Sequence, residues 1–97
     1  MTVTLLYFDG CPHWKTAEVH LRAALARAGR HLDIEHVLVE TAEDAERLGF
    51  PGSPTILVDG RDPFDEGAAP ALACRVFATP TGLAGAPTVE QLVDVLG

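Results

Sequence analysis

Apolar residues alternate with short runs of a different period along the chain, and the changes of period mark out the elements. Thr2 to Phe8 is β-branched and aromatic and predicts a buried strand that ends at Asp9-Gly10. From Pro12 the spacing turns helical, with Trp14, Ala17, Leu21, Ala24, Leu25 and Ala28 on one face and Lys15, Glu18 and Arg22 on the other, and Gly29 closes the helix. Pro12 suits the first helical position, because its fixed φ fits that turn and its missing N–H has no partner there. Cys11 is then the expected N-cap.

Leu32 to Val39 predicts a second strand whose Val37-Leu38-Val39 run suggests burial on both faces. Thr41 with Asp44 three residues on resembles a capping box for a short helix stopping at Gly49. Phe50 to Pro54 suits neither helix nor central strand. Thr55 to Val58 predicts a third strand, and Asp59-Gly60 is a tight-hairpin dipeptide. Arg61 to Leu72 reads as a loop, and Ala73 to Phe77 as a fourth strand paired in a hairpin with the third. Thr79-Pro80-Thr81-Gly82 marks a turn, and Thr88 with Gln91 caps a last helix with Val89, Leu92, Val93 and Leu96 on its apolar face. The order is βαβαββα, an α/β layer with its first two strands parallel. In such a sheet the functional crevice lies beyond the carboxyl end of the first strand, where Cys11 falls.

Length and charge narrow the classes. At 97 residues the chain is expected to form one domain, 1–97. Apolar residues at 47% and charged residues at 22% exclude a composition that stays disordered. A net charge of −7 repels phosphate backbones and anionic lipid, so neither nucleic acid nor membrane is an expected partner. Met1 to Asp9 has no basic n-region and too short an apolar run for a signal peptide, so the expected location is the cytoplasm. There Cys11 and Cys74 are expected to be thiols.

A cysteine at a helix N-terminus meets unpaired N–H donors and the positive end of the helix dipole, both of which favour thiolate. Cys11 is thereby a candidate nucleophile, against the alternative of a small buried cap residue. Around it, the strand, the Cys11-Pro12-His13-Trp14 helix start and the Gly52-Ser53-Pro54-Thr55 entry to the third strand resemble the thioredoxin superfamily over nearly the whole chain. The resemblance implies a mixed four-stranded sheet with helices on both faces. It also implies a cis Pro54 close to Cys11, and a Ser53 that offers its backbone N–H and C=O to an extended thiol substrate. Trp14 stands where disulfide-exchanging members carry a second cysteine, so no vicinal disulfide forms. The Tyr-Phe-Asp-Gly-Cys opening looks like a small subgroup with some selenocysteine-bearing members and some relatives labelled organomercurial lyases.

On this basis Cys11, Pro54 and His13 are the candidate catalytic residues. Pro12, Trp14, Ser53, Thr55 and Arg75 are the candidate substrate-binding residues. His13 either donates a proton or charge beside the thiolate, or is an exposed first-turn histidine. Trp14 is a core or rim aromatic or a ligand platform. Asp9 is turn chemistry or an acid, and Arg75 is strand-edge solvation or a contact to an anionic thiol such as glutathione. Cys74, inside an apolar strand, reads as core filler, and as a second thiol only if its Cα lies within about 7 Å of that of Cys11. The expected distance is longer than that. His13, His20, His31 and His36 show no metal-ligand spacing, and no cofactor is implied beyond a thiol co-substrate.

Three functions follow. The first is a thiol-dependent oxidoreductase in which Cys11 attacks a disulfide or peroxide and is restored by an external thiol. The second is a soft-metal binder or alkylmercury lyase using Cys11, Cys74 and Asp9. The third is a non-catalytic thioredoxin-like module that binds through the Pro54 groove or the loop Arg61 to Leu72. The partner is a small-molecule thiol or a protein disulfide, and the assembly a monomer or homodimer.

Overall fold

The computed structural model describes residues 1–97 as an α/β fold of three helices with a mixed sheet. Strand β1 (Val3–Tyr7) is central, parallel to β2 (Ile34–Leu38) on one side and antiparallel to β3 (Thr55–Val58) on the other. The parallel pair needs a crossover, which helix α1 (His13–Arg27) supplies. Helix α2 (Ala42–Leu48) joins β2 to β3, and helix α3 (Val89–Leu96) ends the chain. No helix is long and apolar enough to cross a membrane.

Alternation along β1 sorts the core into two clusters. Val3 and Leu5 join Ile34 and Ile56 with Ala17, Leu21, Ala24 and Leu25 of α1 and Leu92 and Leu96 of α3. Leu6 joins Val39, Phe50 and Ala45 of α2. Each large aliphatic side chain so buried contributes roughly 1.5–3 kcal/mol. The caps follow the chemistry read from the chain: Thr41 accepts from the Asp44 N–H, Gly49 takes the left-handed conformation at φ 63°, and Thr88 and Gln91 form a reciprocal capping box.

Three features differ from expectation. The Val37-Leu38-Val39 run is not covered on both faces, since β2 is an edge strand and Leu38 is exposed. The sheet has three strands, not four. Asp59-Gly60 makes its turn, with both residues at positive φ, but pairing stops after Val58 and Arg61, because Pro63 has no N–H to continue it. The segment Ala73 to Phe77 is not a strand of the sheet either. It touches the sheet's end through one parallel bridge between Cys74 and Ser53, and then leaves to form a separate hairpin of β4 (Phe77–Thr79) and β5 (Gly82–Ala84) around the expected Thr79–Gly82 turn.

Across the crossover, the Glu18 carboxylate of α1 accepts from the His36 ring of β2, and this bond, joined by the charge of Arg22, holds the Glu18 carboxyl below its ordinary pKa. A depressed folded pKa contributes stability above the unfolded value and loses it as pH falls through the folded one. Glu18→Gln should therefore cost up to about 1 kcal/mol near neutrality, the scale of a partly exposed pair, and nothing in acid below the folded pKa. Urea denaturation of both proteins across that pH range checks this.

Candidate functional site

The crossover from β1 to α1 turns at Phe8-Asp9-Gly10-Cys11, closed by a bond from the Cys11 N–H to the Phe8 carbonyl at 3.0 Å. Cys11 is fully buried at this turn. It is not the N-cap: that position belongs to Pro12, one residue on, and no side chain caps the helix. The reason is local, since proline's φ of −75° already sits in helical range and lets the helix begin one residue later than a capping cysteine requires.

The sulfur of Cys11 is bonded to that of Cys74, 63 residues away, with the two Cα atoms 5.6 Å apart. Two expectations fall together. Cys74 is neither distant nor core filler, but exposed at the mouth of the site. Neither cysteine is a free thiol in this structure. The sheet pattern misplaced Cys74 because a strand over Ala73–Phe77 beside β3 would carry it away from the crevice. The single bridge to Ser53 brings it to the end of β3 instead.

Ser53 explains how. Its N–H donates to the Ala73 carbonyl at 2.8 Å and its C=O accepts from the Arg75 N–H at 2.9 Å. The backbone edge expected to face a substrate is thus taken by the chain's own segment Ala73-Cys74-Arg75. The Ser53 hydroxyl accepts from the Phe8 N–H at 2.9 Å, which ties this edge to the turn that carries Cys11, and the Ser53 carbonyl lies 3.8 Å from the Cys11 sulfur. The Ser53–Pro54 peptide is cis, as the resemblance implies, and Pro54 is buried. Gly52 is required here: its φ is 140°, and a Cβ on it would lie 2.9 Å from the Arg75 Cβ, so only glycine lets the segment come this close.

Arg75 and Thr55 are not free for substrate. The Arg75 guanidinium donates to both Asp62 oxygens at 2.7 and 3.4 Å, to the Phe64 carbonyl at 2.6 Å and to the Thr55 hydroxyl at 3.2 Å, and it stacks over Phe77 at 4.5 Å. The Arg75 and Asp62 side chains are only 10% and 12% exposed. Arg75 therefore neither meets solvent at a strand edge nor awaits an anion. It fastens the loop from Arg61 to Leu72 onto the segment carrying Cys74. Thr55 is buried and donates its hydroxyl to the Gly52 carbonyl at 2.7 Å. Asp62 escaped notice in the sequence, where it is one acidic residue among many in a loop.

His13 and Trp14 are the first two residues of α1. Trp14 is half-buried, 4.4 Å from Tyr7 between ring centroids and packed on the larger core cluster, with its indole N–H buried and unpaired. His13 is exposed, and its ring rests on the backbone of Gly85, where any Cβ would come within 2.5 to 2.7 Å of ring atoms. One His13 ring nitrogen and the sulfurs of Cys11 and Cys74 all lie within 4.8 Å of one another. Linear spacing hid this trio, which unites the helix start with a segment 60 residues on. Asp9, the acid of the organomercurial alternative, is exposed and does not belong to it.

Beside Cys74 opens a cleft of about 500 Å³, lined by Pro63, Phe64, Asp65 and Glu66 from the loop and by Arg75 to Ala78 from the following segment. Its one cation is neutralised by Asp62, so the free charges facing it, Asp65 and Glu66, are negative. No protein-family model matches the chain, and neither a curated protein nor a solved structure does.

Arg75→Ala should destabilise the oxidised protein by about 3 kcal/mol, because it leaves the Asp62 carboxylate shielded and unpaired. Arg75→Lys should recover only part, since a single ammonium cannot span two carboxylate oxygens and a carbonyl. Urea denaturation of both variants, with Asp62→Asn and the double variant to extract the coupling, measures it.

Proposed function

We propose that the chain is a thioredoxin-like thiol–disulfide oxidoreductase whose redox couple is Cys11 and Cys74, restored by an external thiol. The observation that carries this reading is the Cys11–Cys74 disulfide set on the Ser53 backbone, with one sulfur's residue buried at a helix start and the other's exposed beside a cleft. The order β2-β1-β3 with β3 antiparallel, the helices on either side of it and the cis Pro54 agree with that family's layout. In place of a vicinal partner, Cys74 serves as the resolving thiol. In a reducing compartment a disulfide of this kind is a catalytic intermediate rather than a structural staple.

The division between the two sulfurs gives the chemistry a direction. An external thiolate attacks the Cys74 sulfur from the exposed side, the Cys11–Cys74 bond breaks, and its electron pair leaves on Cys11. A good leaving thiolate is one of low pKa, and Cys11, one residue before the N-cap of a fifteen-residue helix, sits at the positive end of that dipole. A second thiol then attacks the mixed disulfide at Cys74 and releases it, so the protein gains two electrons and two protons and the two thiols leave as a disulfide. In the other direction the Cys11 thiolate attacks a substrate disulfide, and Cys74 displaces the product from it. A peroxide enters by the same thiolate: its O–O bond breaks, Cys11 becomes a sulfenic acid, and condensation with Cys74 releases water.

The Ala73–Arg75 segment stands in for substrate. It meets Ser53 through a paired N–H and C=O and presents a cysteine to Cys11, which is what an extended thiol peptide must do to react there. Once the disulfide is reduced, the segment is held by these two backbone bonds and by Arg75, and a substrate competes for the same edge.

Reduced protein mixed with oxidised glutathione and then alkylated should yield the Cys11–Cys74 disulfide and two equivalents of glutathione. Cys74→Ser should instead accumulate a mixed disulfide at Cys11 that mass spectrometry resolves. In that variant, iodoacetamide should label Cys11 at a pH well below that needed for an unstructured cysteine peptide. Labelling that tracks the peptide, or the absence of any adduct, would refute the reading.

The acidic cleft makes a second prediction about the restoring thiol. Cysteamine, a cation, should reduce the disulfide faster than glutathione, an anion, by more than their thiol pKa values account for. The excess should shrink as salt screens Asp65 and Glu66. Stopped-flow rates at low and high ionic strength check it.

A further inference from the structure

The trio of Cys11, His13 and Cys74 has a chemistry that thiol exchange does not use. Reduction of the disulfide turns two bonded sulfurs into two separate donors without requiring the backbone to move, since the segment bearing Cys74 is anchored through Ser53, Arg75 and Asp62. Two sulfurs on a common tetrahedral ion at about 2.3 Å each stand under 4 Å apart, and the pair, with the His13 nitrogen, already falls within 4.8 Å. The His13 ring makes no hydrogen bond within the protein, so a nitrogen lone pair is free. The ring lies against Gly85, where a Cβ would come within 2.5 to 2.7 Å of its atoms and push it away.

We propose that the reduced protein binds one zinc-class divalent ion through the Cys11 and Cys74 thiolates and the His13 imidazole, and that oxidation to the disulfide abolishes the site. Two sulfurs and one nitrogen suit zinc, and not magnesium or calcium, which take oxygen ligands. Three protein ligands leave the fourth tetrahedral position to water or to an outside thiolate, and the exposure of His13 and Cys74 keeps that position open to solvent. Binding is balanced in protons: two thiols give up two protons, and the dication meets two thiolate charges, leaving a neutral centre. Asp65 and Glu66 near Cys74, and a net charge of −7, draw the cation in. The disulfide and the metal are alternative states of the same sulfurs. Passing from disulfide to metal requires two electrons from a dithiol or phosphine reductant, and the return requires an oxidant such as a disulfide, with release of the ion.

The inference needs the disulfide to be reducible but does not rest on catalytic turnover, and the test separates the two. The protein is reduced anaerobically with a phosphine, freed of the reductant, and shown by thiol count to carry two free thiols. It is then titrated with Co²⁺ as a spectroscopic probe and with Zn²⁺ as competitor. The expected result is one Co²⁺ per chain with thiolate-to-cobalt charge-transfer absorption and intense tetrahedral bands, both lost on adding Zn²⁺, and neither present in the oxidised protein. His13→Ala, at an exposed position, should keep two thiols and weaken binding by at least about tenfold. Gly85→Ala should weaken it in the same way by pushing the ring off its seat. Reduced protein with two thiols and no charge-transfer band overturns the proposal, and so does a His13→Ala variant with unchanged affinity and spectrum. Neither result bears on exchange with oxidised glutathione, which is read from the mixed disulfide in the absence of metal.

Discussion

Two backbone hydrogen bonds, from Ser53 to Ala73 and from Arg75 to Ser53, hold the site together. They lie at the end of β3, where the sheet exposes an edge, and they bring a segment from the far side of a twelve-residue loop onto the turn that carries Cys11. Without them Cys74 has no reason to stand 5.6 Å from Cys11 between Cα atoms, His13 has one sulfur beside it rather than two, and the cleft loses one wall. Each bond alone is a modest contribution of about 1 kcal/mol. Their effect is positional, because a paired N–H and C=O fix both the distance and the direction of the segment.

That pairing is reinforced from behind by Arg75. Residue 74 faces the sulfur of Cys11 while residue 75 turns inward to Asp62, Phe64 and Thr55. Alternation along an extended segment assigns the two neighbours opposite jobs. One carries the sulfur bonded to Cys11, and the other anchors the loop Arg61 to Leu72, which has little regular hydrogen bonding of its own. Gly52 and Gly85 contribute by what they lack: the first lets the segment approach Ser53, and the second leaves room for the His13 ring. With a net charge of −7 and with Asp65 and Glu66 lining the cleft beside Cys74, the field there is negative and draws cations rather than anions.

Oxidised, the Cys11–Cys74 pair is a cross-link across 63 residues and holds the segment in place. On the chemistry proposed above, the reduced sulfurs serve as nucleophile and resolving thiol and, with His13, as metal donors. Both proposals call on the same pair of sulfurs, so in them thiol exchange and metal binding exclude one another.

The chain's periodicity determined the positions of the three helices, the first three strands and the caps at Thr41, Gly49 and Thr88, because these rest on contacts a few residues apart. It also made Cys11, Pro54 and Ser53 stand out, since a helix start after a strand and a proline before one are local signals. The partner of Cys11 was another matter. Ala73 to Phe77 has the composition of a strand, and a strand it would have been had it found a long edge to pair with. Instead one parallel bridge to Ser53, the hairpin with Gly82–Ala84 and the ion pair of Arg75 with Asp62 place it. These are contacts between residues remote along the chain, whose energies depend on distance in space and leave no periodic mark. For that reason the neighbours of Cys74, His13 and Arg75 are decided only in the folded molecule.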